Sequence, residues 1–247
     1  MTKHFIDINC DVGEGIGNEE ALFPLISSCN IACGGHAGSK ESMVFCLKLA
    51  KKFNVKVGAH PSYPDRENFG RVSMTLSEDE LILSIKQQMH LFVSLCSQMD
   101  IELHHIKPHG ALYNDIAKDE HLAKTFLTGI EEFKKGAVLY VPYGSVIQRL
   151  ALEYGFKVLV EAFADRNYNT DLSLVSRKES NALITDGKEV LAHLLRMYYE
   201  KEVKTVSGDN ISIIANTYCI HGDTPSVLKI LAYLSDELPH HNLLIKS

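Results

Sequence analysis

Six short segments of this sequence concentrate carboxylates, histidines and basic residues beside glycine and proline. In the first, Asp7, Asn9 and Asp11 alternate. An extended backbone puts all three on one face, where they could hold a cation or orient a water. Glu14 follows among Gly13, Gly15 and Gly17, a glycine pattern that matches a phosphate-binding GxGxxG only loosely because its third glycine comes too early. An EF-hand loop starting at Asp7 is excluded, because Asn18 stands at the twelfth position, where a bidentate Glu is needed. In the second segment His36 lies among Gly34, Gly35 and Gly38, which lets backbone approach a ligand closely. In the third, Pro61 and Pro64 fix the chain around His60, Tyr63 and Asp65, and Gly70-Arg71 follows shortly after. In the fourth, Lys107 and His109 stand two apart and face one way. A lysine there can neutralise a carboxylate or a developing oxyanion, and a histidine can shuttle a proton near neutral pH. The fifth holds Asp165-Arg166, either a surface ion pair of little worth or a guanidinium fork for a substrate carboxylate. In the sixth, Asp223 or Thr224 is expected to cap a helix opened by Pro225, which leaves His221-Gly222 for another purpose.

These segments need a scaffold that gathers them. Apolar runs of strand length cover Phe5–Asn9, Cys29–Ala32, Lys56–Ala59, Leu103–Lys107, Ala137–Pro142, Lys157–Glu161 and part of Ile211–Ile220. Between them, amphipathic spacing predicts helices over Glu19–Leu25, Lys40–Phe53, Glu78–Met99, Glu120–Phe133, Ser145–Tyr154, Lys188–Lys201 and Pro225–Leu238. The 78–99 helix is the clearest, with Leu81, Ile85, Met89, Phe92 and Cys96 on one face and Ser77/Glu80 spaced as a capping box. Strand followed by helix, repeated along the chain, implies a parallel sheet with helices outside it. A doubly wound sheet collects its ligand residues at one switch point, whereas a barrel recruits all its strand exits. Polar clusters follow almost every strand here, so the expectation is a single-domain α/β barrel over residues 1–247, with His36, His60, His109 and His221 at one rim. The stretch 162–186 lacks periodicity and is expected to form a lid or loop excursion.

Composition narrows the functional class. A net charge of -6 with 45% hydrophobic and 23% charged residues describes a globular domain without the basic footprint of a nucleic-acid or lipid binder. The start lacks the apolar core of a secretory signal, no run is long enough to span a membrane, and a cytoplasmic location is expected. The six cysteines form no CxxC pair and read as reduced, buried thiols. No GxxxxGK[ST] phosphate loop is present, so any ATP must be bound another way or largely by a partner.

Taken in order, DINCDVGEG, NIACGGHAG, GAHPSYPD with FGR, KPHGALYN, EAFADR and CIHGDTP resemble the successive signatures of the LamB/YcsF family, from Asp7 to Pro225. The sequence departs from that pattern at Gly35, where a larger and usually aromatic residue is expected, and at Ser39-Lys40, where an acidic residue and proline are more usual. The resemblance implies a distorted seven-stranded (β/α) barrel similar to polysaccharide deacetylases. It also implies ATP-driven opening of 5-oxo-L-proline to L-glutamate with two further subunits, B and C, the ATP carrying Mg2+. Phosphorylating the lactam oxygen would make it a leaving group and let water attack the carbon. On this reading Asp11, His60, Lys107 and His109 are the catalytic candidates. Arg71 or Arg166 would hold the substrate carboxylate, Lys107 would meet oxyanions, and Asp11, His60 or His109 would serve as base. Asp7, Asn9, Glu14, His36 and Tyr63 join the substrate-binding candidates, as do Asp165, His221 and Asp223. By fold analogy Asp11, His60 and His109 stand where deacetylases carry a metal triad. Two alternatives stay open: a metal-dependent carbohydrate deacetylase, and a non-catalytic subunit that binds 5-oxoproline. A homo-oligomer is compatible with either.

Overall fold

Ile8, Cys10 and Val12 alternate with Asn9 and Asp11, and that period of two decides which side of the strand meets the helices. In the computed structural model, which describes residues 3–246, the apolar set faces outward and the polar set faces the interior of a closed barrel. The strands in chain order are β1 (His4–Ile6), β2 (Ile8–Val12), β3 (Ser28–Ala32), β4 (Lys56–His60), β5 (His105–Ile106), β6 (Val138–Pro142), β7 (Lys157–Phe163), β8 (Glu202–Lys204), β9 (Asn210–Ser212), β10 (Thr217–Cys219) and β11 (Leu243–Ile245). The barrel closes in the order β10-β2-β3-β4-β5-β6-β7 with every neighbour parallel. β1 pairs with β11 outside it, and β8–β9 form a separate hairpin.

The helices are α1 (Glu19–Leu22), α2 (Lys40–Phe53), α3 (Glu78–Gln98), α4 (Gly110–Ile116), α5 (Glu120–Ile130), α6 (Val146–Glu153), α7 (Gly187–Leu195) and α8 (Val227–Glu237). Their apolar faces bury the outward strand residues, so the hydrophobic core is a shell between barrel and helices. Ser77 and Glu80 form the expected capping box on α3. All six cysteines are free and buried.

Several boundaries differ from expectation. The predicted strand Phe5–Asn9 is two strands broken at Asp7, and the barrel strand runs on to Val12, which carries Asp11 inside the sheet. The short helix α4 was not anticipated, because its seven residues follow directly on the KPH segment. The predicted helix to Lys201 ends at Leu195, and a π turn over Arg196–Glu200 leads to Lys201 in the left-handed region (φ 58°). The final helix starts at Val227 without a side-chain cap. Thr224 and Asp223, expected as its caps, are drawn into the site instead.

The barrel interior is a hydrogen-bonded polar stack rather than the branched aliphatic packing usual in such barrels. His105 donates from Nε2 to Asn30 Oδ1 (2.6 Å) and lies flat on Tyr140 (4.0 Å between ring centres). Gly58 opposes it, and a Cβ there would lie 2.0 Å from His105 Nε2. The ring is held from both sides and cannot yield. Gly58→Ala is therefore expected to cost at least about 3 kcal/mol, lowering Tm by roughly 6–12 °C in a scanning calorimeter.

Burial also makes acid an adversary of this fold. His193 on α7 is pushed down to about 4 by burial, from an ordinary value near 6.5. Between those values the unfolded chain binds more protons, so stability is complete above about pH 6.5 and is lost as pH falls toward 4. The expected loss from this residue is about 2 kcal/mol between pH 7 and pH 5. Denaturant titrations at both pH values should show a loss in His193→Gln smaller than the parent's by about that amount, the other buried histidines supplying the remainder in both proteins.

Candidate active site

The strand exits meet at the C-terminal rim of the barrel, and a cleft of about 500 Å³ opens there. Its floor is Lys107, which is 2% exposed. The ammonium lies 2.9 Å from Glu161 Oε1 and 3.1 Å from Asp11 Oδ1, and it also donates to Asn9 Oδ1 and Cys219 Sγ. Burial alone would lower the lysine, but Asp11 foremost, with Cys219 and Glu161, holds it well above its ordinary value. Burial alone would likewise raise Asp11, yet His60 and Lys107 outweigh it and keep the carboxyl well below the usual range. Lys107 thus has its donors spent on the protein. Its position makes it the partner that keeps Asp11 ionised, rather than a free donor for an oxyanion.

Beside Asp11 stands a compact histidine cluster. His36 stacks on His109 with ring centres 3.6 Å apart, and His60 meets both edge-on. Glu14 Oε1 accepts from His36 Nε2 at 2.9 Å and lies 3.4 Å from His109 Nδ1. Glu14 is raised to about 7, by burial first and then by Asp11. Burial first, then His60, lowers His36 to about 2. His109 is driven well below its ordinary value by burial and by its histidine neighbours. The imidazoles of His36 and His109 are therefore neutral in the working pH range, as metal coordination requires. Glu14, His36, His60 and His109 each bring one possible ligand atom to within 4.8 Å of the other three. The donor chemistry fits a divalent metal. Asp11 stands beside this group, with its Oδ1 accepting from Lys107 and Asn30 and its Oδ2 3.4 Å from His60 Nε2.

On the far side, Asp165 is fully buried and accepts from His221 N (2.9 Å), His221 Nδ1 (3.0 Å) and Thr224 Oγ1 (2.5 Å). Burial would raise this carboxyl, but His221 and these hydrogen bonds bring it down to about 2. His221, stacked on Phe163, lines the cleft with its Nδ1 committed to Asp165. Asp165-Arg166 is thus no surface pair. Arg166 is buried and donates to the carbonyls of Val175 and Ala182, which pins the 166–184 excursion over the cleft. With two of its donors spent there, it is a structural strut of the lid more than a free clamp for a carboxylate. The guanidiniums that remain near the mouth are Arg71 and Arg177, which share Asp223 between them.

Three sequence candidates lie elsewhere. Asp7 sits at the opposite end of the barrel, bound by Lys56 (2.7 Å), Ser28 and Thr217. Asn9 is fully buried below the floor and donates to Glu161 and Thr217. Tyr63 is buried with its hydroxyl on Asp115 (3.0 Å), and burial raises it. Alternation put Asp7, Asn9 and Asp11 on one face correctly, but about 7 Å of rise separates each from the next, so only Asp11 reaches the rim. Glu161 and Arg177 were not anticipated. Glu161 reads as the end of a strand, and Arg177 falls in the stretch without periodicity. The departure at Gly35 has a local cause: a Cβ would lie 2.4 Å from Ser62 Oγ and 2.5 Å from Gln88 Oε1. Gln88 fills that corner by bridging Ser62 N and O. Ser39 caps α2 through a reciprocal pair with Ser42.

A parallel (β/α) barrel with its titratable groups collected at the C-terminal rim defines the class, that of barrel proteins with a rim-borne polar site. The chain belongs to the LamB/YcsF family, whose model matches residues 6–247. It is 39% identical over 240 residues to the A subunit of 5-oxoprolinase from Haemophilus influenzae (strain PittEE), covering 97% of this chain and 98% of that protein. The corresponding 5-oxoprolinase protein of Neisseria meningitidis serogroup A is 39% identical over 233 residues, or 94% of this chain and 95% of that one. The crystal structure of a lactam utilization protein from Thermus thermophilus superimposes with a TM-score of 0.89 at 33% identity, covering 98% of this chain and 99% of that chain. Among the described residues no helix is long and apolar enough to cross a membrane.

Proposed function

We propose that this chain is the ring-opening component of an ATP-dependent 5-oxoprolinase, converting 5-oxo-L-proline to L-glutamate together with B and C subunits. The observation that carries the reading is the meeting, in one cleft, of an ionised Asp11, an Asp165-oriented His221 and the two arginines at the mouth. A small anionic lactam suits that arrangement. Its carboxylate competes with Asp223 for Arg71 and Arg177, and its ring carbonyl descends toward Asp11. The names of the relatives point to the same substrate class.

A lactam is a poor electrophile, so activation has to come first. ATP, as its Mg2+ complex, phosphorylates the ring oxygen, and with no phosphate loop in this sequence the nucleotide is bound another way or largely by the partners. Water then adds to the activated carbon while Asp11 takes its proton. The ring C–N bond breaks, and the departing nitrogen takes a proton from His221. Hydrolysis of the resulting acyl phosphate releases phosphate and glutamate. Lys107 keeps Asp11 ionised through the step.

The test is reconstitution with B and C subunits, following glutamate and ADP together. Coupled formation of both, only when all three are present, is expected. Glutamate formed at an undiminished rate by B and C alone would overturn the assignment. Release of acetate from acetylated sugars by the isolated chain would favour the deacetylase alternative instead.

A further inference from the structure

We infer that Glu14, His36, His60 and His109 form a binding site for one divalent transition-metal ion of the zinc class. The inference goes beyond the ring-opening reading and does not rest on it. Tautomers carry the first part of the argument. His60 donates from Nδ1 to the carbonyl of Lys107 (2.7 Å), and His109 donates from Nε2 to the carbonyl of Phe69 (2.9 Å). A neutral imidazole has one donor and one acceptor nitrogen. The lone pairs of His60 Nε2 and His109 Nδ1 therefore face each other across 2.9 Å. Such a pair repels unless a positive charge stands beside it. Imidazoles oriented through the other nitrogen by a backbone carbonyl are also how proteins aim histidines at metals.

Spacing carries the second part. Atoms that share a zinc at about 2.0–2.1 Å stand about 3.0–3.4 Å from one another. Here His60 and His109 are 2.9 Å apart, and Glu14 Oε1 is 2.9 Å from His36, 3.4 Å from His109 and 4.0 Å from His60. Four of the six donor pairs lie within 4.0 Å and all six within 4.8 Å, and His36, stacked flat on His109, has to tilt out of that stack for both lone pairs to reach one ion.

A third observation is independent of both. His36 is 2% exposed, and its Nδ1 is buried with no partner among the described residues. The proton that Nε2 shares with Glu14 is thus the only polar tie on this ring among the described residues, and a cation that displaced it would leave Nε2 free as a ligand. Three imidazoles with one carboxylate select zinc or cobalt over calcium or magnesium, which favour oxygen donors. Asp11 Oδ2, 3.4 Å from His60 Nε2, borders the site on the cleft side.

The test uses the full chain alone, without substrate or partners, so its outcome is separate from that of the ring-opening assay. Chelator-dialysed protein is titrated with Zn2+ by calorimetry and with Co2+ by visible absorption. One saturable equivalent is expected, with Co2+ bands that Zn2+ displaces and a rise in Tm on metal addition. Glu14→Gln and His109→Gln should each weaken binding by about 10–100-fold, the scale of loss found even for outer partners of metal sites. His90→Ala, an exposed histidine paired with Glu132, should leave binding unchanged. Glu14 sits in a loop, so its amide variant remains informative if His109→Gln fails to fold. Absence of saturable binding in the parent would overturn the inference and leave a proton shared by His60 and His109 in its place. So would binding that persists at full strength in Glu14→Gln.

Discussion

Lys107→Met should destabilise the fold by about 3–5 kcal/mol at neutral pH and abolish ring opening, because it strips the shared cation from two buried carboxylates. Asp11 is 5% exposed and Glu161 1%, and both lie within 3.1 Å of the Lys107 ammonium. With methionine in place Asp11 loses the cation that, beside His60, held its carboxyl down, and taking up a proton relieves part of the cost of burial. The sign of the pH response then separates this account from simple mispacking. In the variant, burial raises a carboxyl that the lysine had held down, so acidification relieves strain and the gap to the parent narrows from pH 7 to pH 5. A gap that is constant across that window would mean that lost packing, not lost charge, is the cause. Lys107→Arg should not rescue activity. The site is closed by four short contacts to a compact ammonium, and a planar guanidinium neither fits that space nor presents the same point charge. Denaturant midpoints at both pH values, beside glutamate formation in the reconstituted complex, read both halves of the expectation.

How much of this was legible before the structure depended on which physics wrote it. The barrel and its rim were legible, because period-two strands alternating with amphipathic helices leave few topologies open, and the histidines recur at the strand exits. Asp11, His36, His60, His109 and His221 accordingly come together as their spacing suggested, and Glu14, whose place in the histidine cluster the spacing did not suggest, joins them. Depth was not legible. Asp7, Asn9 and Asp11 share a face, and only the barrel's registry says that the first is at the bottom, the second in the middle and the third at the top. Tyr63 looked like its neighbour His60, but successive residues after a strand diverge, and it turned to Asp115. Charge partnership was the least legible of all. Asp165 and Arg166 are adjacent in sequence, yet the carboxylate serves His221, 56 positions away, and the guanidinium serves two loop carbonyls. Arg177 sits in a segment with no period to read, and its partner Asp223 looked like a helix cap.

Asp165→Asn tests whether His221 is the proton donor, and the expected result is a fall in kcat of about 10²–10⁴-fold with KM little changed. Asp165 can only accept hydrogen bonds, so it obliges His221 to carry a proton on Nδ1 and leaves Nε2 for the cleft. An asparagine offers an amide NH2 as well, which lets the ring adopt the other tautomer and turns the wrong nitrogen toward the substrate. Asp165 acts through His221 and is a positioning residue, so a rate loss alone would not distinguish its role from general damage. Two further readings do. Thr224→Ala removes one hydrogen bond to the same carboxylate without touching the tautomer, and it should cost no more than about tenfold if orientation of His221 is what matters. KM for 5-oxoproline should also stay within about twofold of the parent value in Asp165→Asn, because Arg71 and Arg177, the proposed holders of the substrate carboxylate, pair with Asp223 and not with Asp165. Equal losses in Asp165→Asn and Thr224→Ala, or a KM that rises as far as kcat falls, would take His221 out of the chemistry. The proton for the departing nitrogen would then have to come from the water attacking over Asp11.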